Sequence, residues 1–172
     1  FASKRGSDYT TTKLKSETIN GEKYEYKYDA HSNITDVTKD GVLQYHYDYD
    51  MMNQLVSVDD KLNGKVYNYT YDAGGNLISE TVTDSNGTTS NAYEYNNSNW
   101  GDVLTSYNGQ NITYDEIGNP LTYCDGMSMT WKNGRQLATL TNGDTSISYG
   151  YDSGSVRTTK TVNGVKYTYA YG

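Results

Sequence analysis

The sequence predicts an all-β fold, in which tandem β-hairpins form a long, curved antiparallel sheet. Three observations predict it. A Tyr-Asp motif recurs roughly every 20 residues, and Asn-Gly or Asp-Gly pairs recur out of phase with it. Between these turns, tyrosine alternates with polar residues at period two. No 11-residue segment carries a helical apolar stripe, so helices are excluded.

The motif opens at Tyr28-Asp29, Tyr49-Asp50, Tyr71-Asp72, Tyr114-Asp115 and Tyr151-Asp152. Weaker copies fit at Tyr95-Asn96, running into Trp100-Gly101-Asp102-Val103-Leu104, and at Trp131-Lys132. The seven anchors are 17 to 24 residues apart. Aspartate opens such a turn because its carboxylate accepts main-chain N–H groups just ahead of it. Three residues later the turn needs a left-handed residue, supplied by Gly75 before Asn76 and by Gly118 before Asn119. Ser32, Asn53 and Ser155 replace that glycine elsewhere. The turns at Ser155 and at Lys132, which stands where the motif has Asp, are therefore expected to deviate.

Eight further turns lie at Asn20-Gly21, Asp40-Gly41, Asn63-Gly64, Asn86-Gly87, Asn108-Gly109, Asp125-Gly126, Asn142-Gly143 and Asn163-Gly164. These dipeptides tolerate positive φ and are strong hairpin signals. Segments such as Lys23–Tyr28, Gln44–Tyr49, Val66–Tyr71 and Val165–Tyr171 put tyrosines on one face. Glu25, Lys27, His46, Asp48, Asn68 and Thr70 then fall on the other. The strands after each Tyr-Asp turn carry the aliphatics, among them Ile34, Val37, Leu55, Val58, Leu77, Leu121 and Leu137. Some sixteen short strands result, and sheet twist is expected to coil them.

Leu, Ile, Val and Phe together supply 26 of 172 residues, about 15%, which falls below the ~20% associated with disorder. The 20 tyrosines answer that deficit: each is a strand former with a large apolar body and a polar tip. Tyrosines on successive strands are expected to stack as cross-strand aromatic ladders, with stability summed over neighbouring repeats.

Several functions are excluded by composition. A net charge of −7 and a pI near 4.7 leave no basic footprint for nucleic acid. No stretch approaches the ~18 apolar residues of a membrane-spanning helix. Lone Cys124 rules out an internal disulfide or cysteine zinc site, and no cofactor or metal ligand set is expected. His46 belongs to the polar face rather than to a ligand set, and Met51-Met52 lies at a turn tip. No nucleophile–base pair stands apart from the repeat, so the chain is read as no enzyme. The residues singled out are the repeat-motif positions, expected to be structural: Tyr28, Asp29, Tyr49, Asp50, Tyr71, Asp72, Gly75, Asn76, Tyr114, Asp115, Gly118, Asn119, Trp131, Tyr151 and Asp152.

The unit Tyr71-Asp72-Ala-Gly-Gly-Asn-Leu77, with Tyr114-Asp115-Glu-Ile-Gly-Asn-Pro-Leu121, resembles the YD repeats of the RHS family. That family includes bacterial polymorphic-toxin shells, insecticidal toxin-complex C subunits and teneurins. Trp100–Gly109, Gly126–Leu137 and Arg157–Gly164 look like repeats of RHS proteins from Gram-positive bacteria. The resemblance covers roughly residues 17 to 172. It implies a strip of spiral shell that encloses a toxin in some members and serves adhesion in others. The chain has no Asp-Pro pair of the kind at which the family's core segment cleaves itself.

Residues 1–16 are expected to form a partial lead-in repeat, and 17–172 about seven repeats of one continuous sheet. The expected function is a structural segment of an exported shell, secreted or at the bacterial cell surface. Its expected partners are neighbouring repeats of the same longer protein and an enclosed toxin domain. The alternative is an adhesion module whose tyrosine-rich or polar face binds a surface glycan or protein. Unpaired sheet edges also invite self-association by strand addition.

Overall fold

A computed structural model describes residues 12–171. Among these there are seventeen strands, one 3₁₀ turn and no α-helix, so the all-β expectation holds. The expected lead-in over residues 1–16 lies mostly outside the described residues. The chain divides into two compact units, residues 1–91 and 92–172.

The first unit is a meander. Its strands are β1 (Ser16–Ile19), β2 (Glu22–Tyr28), β3 (Ile34–Lys39), β4 (Val42–Tyr49), β5 (Leu55–Asp60), β6 (Lys65–Tyr71), β7 (Leu77–Asp84) and the start of β8 (Gly87–Glu94). Each lies beside its sequence neighbour, and the pairs from β1 to β7 are antiparallel. In the second unit the end of β8 pairs with β9 (Ser106–Tyr107), and β9 with β10 (Gln110–Asn111). A separate sheet then runs in order through β11 (Thr113–Tyr114), β12 (Pro120–Tyr123), β13 (Met127–Lys132), β14 (Gln136–Asn142), β15 (Thr145–Tyr151), β16 (Arg157–Val162) and β17 (Val165–Thr168).

Hydrogen bonding thus breaks between β10 and β11, which corrects the expectation of one continuous sheet. The break falls at Ile112, which is 3% exposed and donates its N–H to the Thr105 carbonyl at 2.8 Å. Ser106 and Asn119 are buried in the same unit. Strands of two residues are too short to carry the ladder past a side chain that turns inward to be buried.

The paired turn residues behave as their chemistry demands. Both members adopt positive φ at Asn20-Gly21, Asp40-Gly41, Asn108-Gly109, Asp125-Gly126 and Asn163-Gly164. At Asn63-Gly64, Asn86-Gly87 and Asn142-Gly143 only the glycine does. At the first of these the chain makes a longer turn, in which Asp60 accepts Asn63 N–H at 2.9 Å and Asn63 Nδ2 at 2.8 Å.

The tyrosine face differs from the expected aromatic ladder. Each tyrosine strand lies between aliphatic strands, so the cross-strand series read Tyr26–Val37–Tyr45 and Tyr47–Val58–Tyr67–Val82. Phenol rings alternate with β-branched side chains, a favourable pairing on a pleated surface. Direct ring contacts occur at the cross-strand pair Tyr93–Tyr107, 5.2 Å between centroids, and along β4 between Tyr45 and Tyr47 at 6.1 Å. The tyrosines of β2, β4 and β6 are half-buried rather than enclosed.

The polar face of the first unit is cross-linked by charge and by the hydroxyl pairs Thr70–Ser79 and Thr83–Thr88, at 2.6 and 2.8 Å, and that of the second by hydroxyls. Lys27, Asp36 and His46 lie opposite one another on β2, β3 and β4. Lys27 Nζ is 3.1 Å from Asp36 Oδ2, and His46 Nδ1 is 2.7 Å from Asp36 Oδ1. Asp48 Oδ1 stands 3.4 Å from His46 Nε2, and Asp59 is paired with His46 on β5. In the second unit Thr113–Thr122, Ser128–Thr141 and Thr130–Thr139 are hydroxyl pairs at 2.8, 2.8 and 2.6 Å.

The Asp36 hydrogen bond, with Asp48 nearby, raises the His46 pKa above 6.5 although burial opposes it. The same bond, helped by Lys27, holds the Asp36 carboxyl below 3.8. Protonated His46 therefore adds stability that is complete below about pH 6.5 and fades as pH rises through its folded-state value. Asp36 contributes above pH 3.8 and is lost as pH falls through its own folded-state value. In urea unfolding between pH 5.5 and 8, the wild-type midpoint should fall relative to that of His46→Gln. Parallel curves would refute the assignment.

Candidate functional site

The residues singled out by the motif converge on one recurrent construction rather than on a catalytic centre. At six of the seven copies the strand register shifts at the motif aromatic: at Tyr28, Tyr49, Tyr71, Tyr114, Trp131 and Tyr151. Such a bulge bends the strand into a turn closed by a left-handed residue. That residue is Ser32, Asn53, Gly75, Gly118 or Ser155, at φ between 62° and 87°.

The aspartate then holds the turn. One carboxylate oxygen accepts two main-chain N–H groups: His31 and Asn33 on Asp29, Met52 and Gln54 on Asp50, Gly74 and Asn76 on Asp72, Ile117 and Asn119 on Asp115, Gly154 and Val156 on Asp152, all at 2.8–3.0 Å. Where asparagine stands four residues on, its Nδ2 donates to the other oxygen: Asn33 at 2.9 Å, Asn76 at 2.9 Å and Asn119 at 2.7 Å. The Asn76 amide, joined by its own N–H, holds the Asp72 carboxyl below 3.8 despite some desolvation.

The turn at Ser155 forms in full, with Ser155 N–H donating to the Asp152 carbonyl at 3.1 Å. The Lys132 copy keeps the bulge and the pairing of Trp131 with Leu137, but it turns differently. Asn133 and Gly134, at φ 47° and 83°, make the reversal without an aspartate. With the eight Asn-Gly and Asp-Gly pairs it makes a ninth such turn, hidden in sequence by its overlap with the motif.

An aromatic that opens the motif ties one repeat to the one before it. Tyr49 O–H donates to the Ile34 carbonyl at 3.0 Å, Tyr71 to Leu55 at 2.7 Å, Tyr114 to Leu104 at 2.8 Å and Tyr151 to Leu137 at 3.0 Å. Tyr28 reaches Leu14 at 2.7 Å, and Tyr171 reaches Arg157. Trp131 substitutes its indole N–H, which donates to the Pro120 carbonyl at 2.7 Å. The turns are also tied side by side: Asn33 Nδ2 donates to Asn53 Oδ1 at 2.9 Å, and Asn119 Nδ2 to the Gly134 carbonyl at 2.8 Å.

Among the described residues no group of His, Cys, Asp and Glu could hold a metal ion. An open cleft of about 390 Å³ in the first unit is lined by Lys15, Glu25, Tyr26, Lys27, Thr38 and Gly41. Beside it Tyr26 O–H donates to Glu17 at 2.6 Å; this bond, with burial, pushes the phenol up to about 12 and keeps it protonated. Cys124 is a free thiol, half-buried. Met51 and Met52 are exposed at their turn tip. No described helix is long and apolar enough to cross a membrane.

Fold and motif together define a tandem-repeat β-sheet protein whose recurrent polar residues bind its own backbone. The RHS Repeat family model matches residues 49–89, which hold the Tyr49-Asp50 and Tyr71-Asp72 motifs. A crystal structure of TcdB2-TccC3 without its hypervariable C-terminal region is similar at TM-score 0.58 and 18% identity, over 82% of this chain and 9% of that one. A structure of the Photorhabdus luminescens Tc holotoxin pore is similar at TM-score 0.56 and 16% identity, over 81% of this chain and 9% of that one. The chain thus spans about a tenth of the length of these structures. No curated protein matches it in sequence.

Two substitutions test the construction. Tyr71→Phe removes one hydrogen bond to a strand-end carbonyl and should cost about 1 kcal/mol in urea unfolding; no loss would show the tie to be idle. Gly75 and Gly118 share positive φ, yet a side chain at 118 would meet the Trp100 ring at 2.6 Å, whereas at 75 it meets only the flexible Gln54 amide at 3.2 Å. Gly75→Asn, matching native Asn53, should be nearly silent. Gly118→Asn should destabilise strongly and shift Trp100 fluorescence.

Proposed function

We propose that this chain is a non-enzymatic wall segment of an exported bacterial RHS/YD-repeat shell that encloses or displays a cargo such as a toxin domain. One observation carries the reading. The recurrent polar side chains are spent on the protein's own turns and strand ends, from Asp29 through Asp152 and from Tyr28 through Tyr171. A catalytic or ligand-binding surface leaves such groups aimed at a partner; a wall uses them to hold its courses together. The likeness to Tc toxin structures supports the same architecture. Repeats that bond mainly to their neighbours extend a wall without limit of length, as a container requires.

The test uses the full-length gene product. External protease should leave an enclosed polypeptide intact while the repeats are folded and digest it once denaturant has unfolded them. Digestion of that polypeptide under native conditions, at the rate of its isolated form, would overturn enclosure.

A further inference from the structure

Asparagine followed by glycine is the dipeptide in which main chain most readily attacks side chain, because glycine has no side chain to screen its nitrogen. Six such pairs follow β5, opening at Asn63, Asn86, Asn108, Asn133, Asn142 and Asn163. Their sequences make them equivalent, and the fold makes them unequal.

Four of the six have their side-chain amides tied. Asn108 and Asn163 stand in the left-handed region, at φ 50° and 47°. Each grips one residue of the preceding tyrosine strand at two points. Asn108 N–H donates to the Ala92 carbonyl at 2.9 Å, and its Oδ1 accepts Ala92 N–H at 2.7 Å. Asn163 holds Ser146 in the same way, at 2.8 and 2.7 Å. Asp40 repeats the grip on Lys23 at 2.7 and 2.9 Å, so only the side-chain oxygen is needed for it. At the other two tied pairs the amide nitrogen is held. Asn63 Nδ2 donates to Asp60 at 2.8 Å and Asn133 Nδ2 to Gln136 Oε1 at 3.0 Å.

Asn86 and Asn142 differ on both counts. Neither adopts positive φ, and neither side chain makes a hydrogen bond among the described residues. Asp84 Oδ1 accepts the main-chain N–H of Asn86 at 2.7 Å, which leaves its amide free on an exposed turn. Asn142 ends β14 and pairs with Thr145 across the two-residue turn Gly143-Asp144. Gly143 N–H makes no hydrogen bond among the described residues, so both reacting groups of that pair are unoccupied.

We infer that Asn86 and Asn142 are sites of spontaneous deamidation, and that the turns protect Asn63, Asn108, Asn133 and Asn163. The glycine N–H gives its proton to hydroxide, and the nitrogen bonds the asparagine Cγ. The Cγ–Nδ2 bond breaks, and Nδ2 leaves as ammonia with a proton from water. Water then opens the resulting cyclic imide at one of its two carbonyls. Opening at Cγ yields aspartate; opening at the main-chain carbonyl yields isoaspartate, whose backbone runs through Cβ. Each conversion adds one negative charge. At Asn142 the added main-chain atom falls where β14 turns into β15, beside the closing Asn142–Thr145 pair. A tied amide must first leave its partner, and one bond of ordinary strength lowers the reactive population roughly fivefold. The inference draws on nothing a shell contains, and its failure leaves the wall reading untouched.

The test follows the full-length gene product, kept folded at mildly alkaline pH and digested at intervals. Peptide masses report the exchange of an amide NH2 for OH. Asn86 and Asn142 should convert at least roughly fivefold faster than the four tied asparagines. A tied asparagine that keeps pace with either overturns the inference. In strong denaturant the six rates should draw together; an unchanged ranking there would assign the order to neighbouring residues rather than to the fold, and overturns it equally. Gln136→Ala removes the partner of the Asn133 amide. It should speed conversion at Asn133 roughly fivefold and leave the other five rates unchanged. An unmoved rate at Asn133 shows that the tie gives no protection and sinks the argument.

Discussion

The bond from the motif aromatic to the strand-end carbonyl of the preceding motif is the constraint on which the rest of the structure depends. A bulge at every Tyr-Asp turn disturbs the ladder, and a disturbed ladder leaves main-chain groups that need partners. The phenol supplies one from the neighbouring repeat, as Tyr71 does for Leu55 and Tyr151 for Leu137. The aspartate supplies the others from within the turn. Register, turn and repeat-to-repeat contact are therefore set together by two adjacent residues. Trp131 makes the point by exception: it lacks a hydroxyl yet keeps a donor, and the donor finds the equivalent carbonyl at Pro120.

This arrangement explains how a chain so poor in aliphatics holds a fold. Buried apolar volume is small: Ile112 is the buried hydrophobic residue among those described. Valines set between tyrosines give each ring an apolar flank, while its oxygen remains at the strand end for hydrogen bonding. Burial and polar satisfaction then come from the same side chain. Cations use the exposed ring faces as well; Lys132 lies 5.2 Å from the Tyr151 ring centroid and Arg157 the same distance from that of Tyr149.

Much of this was legible in the residues. Tyrosines at period two, out-of-phase Asn-Gly pairs and glycine or asparagine after each aspartate led directly to strands, hairpins and left-handed turns. The carbonyl ties were not legible in the same way, because a main-chain acceptor has no residue identity. A trace of them was present: every motif opens on an aromatic that carries a donor, and the chain's one phenylalanine, Phe1, lies outside the motif. The alternation of phenol with valine was obscured because composition counts residues without ordering strands. The break at Ile112 was obscured because Gln110 to Tyr114 continues the same period-two pattern straight through it.

The Lys132 copy separates what the repeat requires from what merely decorates it. It has lost the aspartate, the single left-handed residue and the carboxylate cap. Yet Trp131 still pairs with Leu137, the bulge persists, and the Leu137 carbonyl still receives the next tyrosine. An Asn-Gly reversal occupies the same chain length, so the strands emerge in register. Turn chemistry is thus replaceable provided the spacing from aromatic to acceptor is kept. The aspartate stabilises one solution to that spacing, and the aromatic donor defines the repeat.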